Sequence, residues 1–497
     1  MQTMSFRGQG IDEGIQVCPK SAIDNNYIKK HIEMKYDVVV IGSGPGGYVA
    51  AIKAAQNGKK TAVIEKAELG GVCLNWGCIP TKALLKSAQV YNYARHASAY
   101  GIEIAGEISA PLDKIVERSR GVADTMSKGI AFLMKKNAVD VINGYGRLEA
   151  VGIVSVTDAE GNVQQVEAEH IILATGSRPR EMAFMPIDGR KVISSREALT
   201  LSELPQSMVI VGSGAIGCEF AWFYASLGVK VTVVEYLPQL LPAADADVSK
   251  ALERAFRKIK IGVMTNTSVK GVEIQPDGAC AVRVEGKKGE EILTADVVLS
   301  AVGIKSNIED LGLEKLGIAT DRDKIVVDEY YRTNVKGVYA IGDITRGPAL
   351  AHVASAEAIC CVEKLCGHNP EPLDYSTIPS CVYTTPEIAM VGMTEQQARE
   401  AGYEVAVGQF PYTASGKATA AGDRDGFVKL IFDAANHRLL GAHMMGANVT
   451  EMLAEPTLAK ALGTTAERIA TTIHSHPTMS EAVMEAAEGA FGAAVHL

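Results

Sequence analysis

Residues 36–47 read Tyr36-Asp-Val-Val-Val-Ile41-Gly42-Ser-Gly44-Pro-Gly-Gly47, a short β-rich apolar run that breaks into a glycine turn. A helix-forming stretch from Tyr48 to Gln56 follows, and a second apolar run, Lys60 to Ile64, ends on Glu65. Strand, glycine turn, helix, strand and acid, in that order, make a dinucleotide cradle. Gly42 permits the tight turn, Gly44 lets the backbone approach a pyrophosphate, and Gly47 lets helix and strand pack. The helix N-terminus offers free N–H groups and a positive dipole end to the phosphate. The acid takes ribose hydroxyls.

The same device recurs. Met208-Val-Ile-Val211 leads into Gly212-Ser-Gly214-Ala-Ile-Gly217, a helix runs through Cys218 to Leu227, and the strand Lys230–Val234 ends on Glu235. Glu65 follows Gly42 by 23 residues, and Glu235 follows Gly212 by the same 23. One glycine pattern is weak evidence; two in full context predict two bound dinucleotides. Glu235 suits a free ribose 2′-hydroxyl and would repel a 2′-phosphate, and Tyr236, Leu237 and Pro238 after it bring no cation. The second nucleotide is therefore expected to be NAD. The fold class expected is α/β, with two Rossmann-like domains.

The bulk properties frame this reading. The 497 residues allow about three domains. A net charge of −9 without a basic run argues against a nucleic-acid surface. No apolar run is long enough to span a membrane, so a cytoplasmic location is expected. Residues 1–33 carry Asp12, Glu13 and Asp24 and lack both a presequence and a signal-peptide pattern, so they read as an extension outside the fold.

There are nine cysteines, an odd number at irregular spacing, which is no secreted disulfide framework. Two pairs share one spacing: Cys73 with Cys78, and Cys361 with Cys366. Five residues of regular helix rise about 7.5 Å, more than the roughly 4.4–6.8 Å between the Cα atoms of a disulfide. A pair so spaced closes only where the helix is broken. Gly70, Gly71, Gly77 and Pro80 surround Cys73–Cys78, whereas Cys361–Cys366 lies in a good helical run. The first pair reads as redox-active and the second as ordinary cysteine. A zinc half-site is the alternative for the first pair, but no further ligands are evident nearby, and no metal is expected.

The stretch Gly70-Gly-Val-Cys73-Leu-Asn-Trp-Gly-Cys78-Ile-Pro80-Thr-Lys82 resembles the active site of the pyridine nucleotide–disulfide oxidoreductases, in particular those that oxidise dihydrolipoamide. The resemblance runs from about Met34 to the C-terminus. It extends to Ile171-Ile-Leu-Ala-Thr175-Gly176, to Thr333-Asn-Val-Lys-Gly-Val-Tyr-Ala-Ile-Gly342-Asp343, to Leu350-Ala351-His352, and to His474-Ser-His476-Pro477-Thr-Met-Ser-Glu481.

The resemblance implies FAD on the first cradle, held by Gly42, Gly44, Gly47, Glu65, Lys82, Gly146, Thr175, Gly176, Asp343 and Ala351. It implies NAD on the second, held by Gly212, Gly214, Gly217, Glu235 and Gly303. By the same resemblance Cys73 exchanges with the substrate, Cys78 faces the flavin, and His476 is the base that Glu481 orients. Lys82 lies near the flavin and pairs with Glu219. The implied layout is an FAD domain at 34–180 completed by 304–372, an NAD domain at 181–303, and an α+β dimerisation domain at 373–497. The implied protein is a homodimer in which the base of one subunit reaches the disulfide of the other. Its partner is a lipoylated acyltransferase (E2) or a glycine cleavage H protein.

Two departures stand out. Ile304-Lys-Ser-Asn307 replaces the family's Arg-Pro-Asn, and Trp76 sits between the cysteines where many members carry a smaller residue. Competing readings are a glutathione-reductase-like enzyme, which would prefer NADPH, and a non-catalytic dinucleotide-binding scaffold. The chain ends Phe491-Gly-Ala-Ala-Val-His-Leu497, without the C-terminal cysteine pair of other branches.

Overall fold

The computed structural model describes residues 32–496. Most of the 1–33 extension, with Cys18, lies outside the described residues. The first strand spans Ile32–Ile41 and pairs from Ile32 with Gln165, so the sheet begins two residues before the expected boundary at 34. The neighbouring strand Val163–Leu173 is long enough to offer partners that far back.

Three sheets organise the chain. The first has seven strands. Ile32–Ile41 lies between Thr61–Glu65 and Val163–Leu173, both parallel to it, and Asp140–Asn143 extends the sheet beyond Thr61–Glu65. Val338–Ala340 joins in parallel to Val163–Leu173, which returns residues from far along the chain to this first sheet. The strands are continuous apolar runs because helices cover them; Val38, Val39 and Val40 are fully buried. The second sheet has five parallel strands, ordered Gly262–Met264, Lys230–Val234, Ser207–Val211, Val297–Ser300 and Val192–Ile193. The third is antiparallel, ordered Ser380–Val382, Glu387–Gly392, Leu439–Gly446, Phe427–Asp433 and Val405–Pro411, with the helix Glu481–Gly489 packed on it.

The two glycine devices fold alike. Their helices are Pro45–Gln56 and Ala215–Ser226, their acid-tipped strands Thr61–Glu65 and Lys230–Val234. Ile304–Ser306 pairs antiparallel with Ser177–Pro179 and stitches the two units together.

A buried cation fastens the second unit to the third. Lys429 Nζ, with its side chain 3% exposed, lies 2.9 Å from Asp245, 2.7 Å from Asp247 and 2.9 Å from Glu395. Burial alone would raise Asp245, but Lys429 and backbone N–H donors hold it below the usual carboxylate range. Hydrogen bonds from Lys429 and Arg399 do the same for Glu395. Burial opposes the charge on Lys429, and the three carboxylates overcome it and push the amine up.

The two depressed carboxylates stabilise the fold above their unfolded values near pH 4, and that contribution disappears as the pH falls through the folded values. The raised lysine contributes below its unfolded value near pH 10, and the contribution is lost as the pH rises through the folded one. Replacing Lys429 by Ala strands three carboxylates and is expected to cost on the order of 3 kcal/mol. Thermal unfolding at neutral pH should show a lower midpoint, and the deficit should shrink below about pH 4, where the parent itself loses the tie.

Candidate active site

In both cradles the glycines divide their work in the same way. Gly42 (φ +101°) and Gly212 (φ +100°) turn where a Cβ would lie 2.4 Å from the carbonyl oxygen of Ala174 or Ala301. A Cβ on Gly47 would lie 1.9 Å from Gly42 O, and one on Gly217 2.1 Å from Gly212 O. Gly44 and Gly214 are different, for a Cβ there would meet no protein atom within 4 Å. Their backbones face open space at a helix N-terminus, and this fits a diphosphate at each loop.

Each acid is buried and already engaged. Glu65 Oε2 accepts from Ser43 N at 2.9 Å and Ser43 Oγ at 2.7 Å, and its Oε1 accepts from Ala67 N. Glu235 repeats the pattern with Ser213 N at 2.8 Å, Ser213 Oγ at 2.7 Å and Leu237 N. In each, Oε1 retains capacity for a ribose hydroxyl. Sequence reading assigned no role to Ser43 and Ser213, although their matching positions were the available signal.

The redox segment is built directly on the first loop. A Cβ on Gly71 would sit 2.7 Å from Gly44 Cα, and Gly70 N donates to Ser43 O at 3.1 Å. Cys73 lies in the helix Gly71–Asn75 and Cys78 opens the helix Cys78–Arg95. The break between them falls at Trp76 and Gly77, where Gly77 has φ −150° and ψ −114°. Cys361 lies inside the unbroken helix Ala351–Leu365 and Cys366 caps it, the geometry that keeps such a pair apart.

The thiols of Cys73 and Cys78 are both free and hydrogen-bonded to each other. That bond, from Cys73 S–H to Cys78, draws Cys78 down to about 7 against the opposing effect of burial, with help from the Lys82 ammonium. Its counterpart, together with burial, pushes the Cys73 thiol well up. The two thiols are coupled, and the Lys82 ammonium favours the charged form of both.

Lys82 donates to both oxygens of Glu219, at 2.9 and 2.8 Å, and bridges the two nucleotide units. Tyr383 N, from the third unit, donates to Glu219 Oε1 at 3.0 Å, and Lys82 Nζ lies 4.5 Å from the Tyr383 ring centre. All three units therefore meet beside the redox pair.

Asp343 accepts from Ser177 Oγ at 2.6 Å, and its carbonyl takes Ser306 Oγ at 2.7 Å. Gly342 N donates to buried Glu357 at 2.6 Å, and Tyr375 OH donates to the other oxygen at 2.7 Å. Burial raises Glu357 to about 7. Sequence reading passed over Glu357. Thr175 Oγ1 donates to Asn307 O at 2.6 Å, and Asn307 Nδ2 returns to Thr175 O at 3.0 Å. The departing Ile304–Asn307 segment thus still locks the corner, and Arg178 reaches Asn307 Oδ1 at 2.9 Å. Gly176 (φ +66°) and Gly303 (φ +108°) lie on either side of this stitch. Gly146 is buried against Ile41 and Ile64, and Ala351 starts the helix that covers the first glycine helix.

His476 is on the third unit, its side chain 79% exposed, with Nδ1 2.8 Å from Glu481 Oε1. Thr478 N donates to Glu481 Oε2 at 2.7 Å. Burial would raise Glu481, but Thr478 and His476 hold it below the usual range. A carboxylate at Nδ1 fixes the proton there and leaves the Nε2 lone pair to act as base. His474 is buried and held by Glu455 at 2.9 Å and by Thr472 O. The hydrogen-bond partners of His476 belong to its own segment, and the redox pair of the same chain is not among them.

The comparisons agree on family. The model of the pyridine nucleotide-disulphide oxidoreductases matches residues 36–358, and that of their dimerisation domain matches 378–487. The dihydrolipoyl dehydrogenase of Chlorobaculum tepidum is 49% identical, over 91% of this chain and 96% of its own. That of Bacillus subtilis is 44% identical, over 93% of this chain and 99% of its own. The crystal structure of LpdA from Mycobacterium tuberculosis superposes with a TM-score of 0.84 at 28% identity, covering 92% of this chain and 99% of that one.

The two kinds of glycine should respond differently to alanine. Gly217→Ala drives a side chain into Gly212 O and should destabilise the fold by about 1–3 kcal/mol, read as a lower unfolding midpoint. Gly214→Ala meets no protein atom and should keep the midpoint while weakening nucleotide binding at that loop by about tenfold or more, measured by calorimetric titration with NAD.

Proposed function

The chain belongs to the pyridine nucleotide-disulphide oxidoreductase family, and on that premise we propose a residue-by-residue reading of how it works as a dihydrolipoyl dehydrogenase. It is an NAD-dependent flavoprotein enzyme with FAD and NAD as cofactors, and it forms a homodimer through its dimerisation domain. When bound, FAD would supply an acceptor for the electron pair of the reduced cysteines, and NAD an acceptor for hydride.

His476 Nε2 takes a proton from the dithiol, because only a thiolate attacks a disulfide well. That thiolate attacks Cys73 Sγ, breaks the Cys73–Cys78 bond and releases Cys78 as a thiolate. His476 passes the first proton to the departing Cys73 sulfur and takes the second from the remaining substrate thiol, which attacks the substrate sulfur of the mixed disulfide. The cyclic substrate disulfide forms and Cys73 leaves as a thiol. Two electrons now reside on the cysteine pair. Lys82, held by Glu219, stabilises the negative sulfur of Cys78. The observation that carries this reading is the helix break between Cys73 and Cys78, set directly on the first glycine loop with the Lys82–Glu219 pair beside it.

His476 is exposed and paired with Glu481 of its own segment, so we assign it to the disulfide of the partner subunit. The first cradle is assigned to FAD and the second, by Glu235, to NAD. Residues 34–180 with 304–372 are taken as the FAD domain, 181–303 as the NAD domain and 373–497 as the dimerisation domain. The lipoyl group is assigned to a lipoylated acyltransferase (E2) or a glycine cleavage H protein, and the enzyme to the cytoplasm. No helix of the described residues is long and apolar enough to cross a membrane.

Purified protein given NAD and dihydrolipoamide should form NADH. Absence of NADH with intact bound flavin, or NADPH-driven reduction of glutathione disulfide instead, would contradict the assignment. Cys78→Ser should remove at least about 99% of this turnover and keep the protein yellow. His476→Gln should lower turnover by about 10²–10⁴-fold without loss of flavin.

A further inference from the structure

Trp76 stands at the break between the two redox helices. Arg120 Cζ lies 4.3 Å from its ring centre and Arg196 Cζ 4.2 Å. Both guanidiniums lie within cation–π distance of the indole. The indole N–H donates to Glu68 at 3.3 Å, and Glu68 offsets the repulsion of Arg196 on Arg120. Arg120 also donates to Asn75 O, at the end of the first redox helix, at 2.6 Å.

Arg196 comes from the other nucleotide unit. Its short helix, Ser195–Ala198, is fixed by a capping box in which Ser194 and Glu197 satisfy each other's backbone. Ala198 O then accepts from Tyr224 OH at 2.6 Å. Tyr224 lies on the helix Ala215–Ser226, which also carries Glu219. The redox segment is therefore tied to one helix of the second unit at two places. One tie runs from Lys82 to Glu219, the other from Trp76 through Arg196 and Ala198 to Tyr224.

Two ties matter because the sulfur separation changes in every cycle. A disulfide bond is about 2 Å long, and a thiol–thiolate contact is well over that. Trp76 lies in the break between the two helices, two residues before Cys78. With Trp76 free, the start of the second redox helix would shift as well, and Cys78 would move with it. We propose that the Trp76–Arg196 stack is a second tether between the nucleotide units, and that these two are positioning residues that keep Cys78 in place as the disulfide opens and closes. The proposal rests on the assignment of Cys78 as the flavin-facing thiolate.

The test uses the holoenzyme carrying Arg196→Ala or Trp76→Leu, with Trp76→Phe as the conservative variant. A thiolate lying against flavin gives a long-wavelength absorbance band when the enzyme is reduced by two electrons. Both truncations should keep flavin stoichiometry, and Arg196 is exposed, so its truncation leaves the core intact. The band should fall by about twofold or more and dihydrolipoamide turnover by about tenfold, with Trp76→Phe recovering most of both. A band and turnover equal to the parent's in both truncations would overturn the tether. So would loss of flavin in step with loss of the band, which would mark a merely structural role. A parent that shows the band without turning over dihydrolipoamide would contradict the substrate assignment alone, and the band would still decide the tether.

Discussion

The close approach of Gly71 to Gly44, so tight that a side chain on Gly71 would begin 2.7 Å from Gly44 Cα, fixes everything downstream. It sets the helix Gly71–Asn75 on the first glycine loop, with no layer of side chains between. Ser43 secures both partners of the contact, binding Glu65 on one side and the backbone of Gly70 on the other. On the proposed assignment of FAD to this loop, this backbone packing is what would bring sulfur and flavin within reach.

From that contact the structure works outward through buried charge. Glu219 gathers Lys82 and the Tyr383 backbone, so that one carboxylate joins three units beside the cysteines. Glu357 holds the Gly342–Asp343 turn, and Lys429 holds the second unit against the third. Removing the partner of Glu219 or Asp245 leaves a carboxylate almost wholly out of water's reach, which makes these two contacts intolerant of substitution. His476 is the exception: its side chain is exposed, as the base proposed to complete a partner subunit's site would have to be.

Much of this was legible in the sequence. Glycine loops advertise themselves because no other residue fits Gly42 or Gly47, and the duplicated interval to Glu65 and Glu235 told cradles from chance turns. The broken helix between Cys73 and Cys78 could be inferred from Gly77, and the decoy pair from its unbroken helix. The partners joined only by folding were not legible. Glu357 meets Gly342 from a helix, Tyr383 meets Glu219 across 164 residues, and Arg196 meets Trp76 across two units. None leaves a periodic or local signature. The start of the first strand at Ile32 was missed for the same reason, since its partner, Gln165, lies on a distant strand.

The claim that Cys73 is the sulfur that meets the lipoyl group is tested most directly by trapping the covalent intermediate. In reduced holoenzyme carrying Cys78→Ser, the Cys73 thiol should open oxidised lipoamide, and N-ethylmaleimide added to the mixture should cap the lipoyl thiol set free before it can close the ring again, so that the adduct stays on Cys73. Mass spectrometry of the peptide containing Cys73 should show the lipoamide adduct there and on no other cysteine. An unmodified Cys73, or an adduct formed with glutathione disulfide but not with lipoamide, would contradict the account.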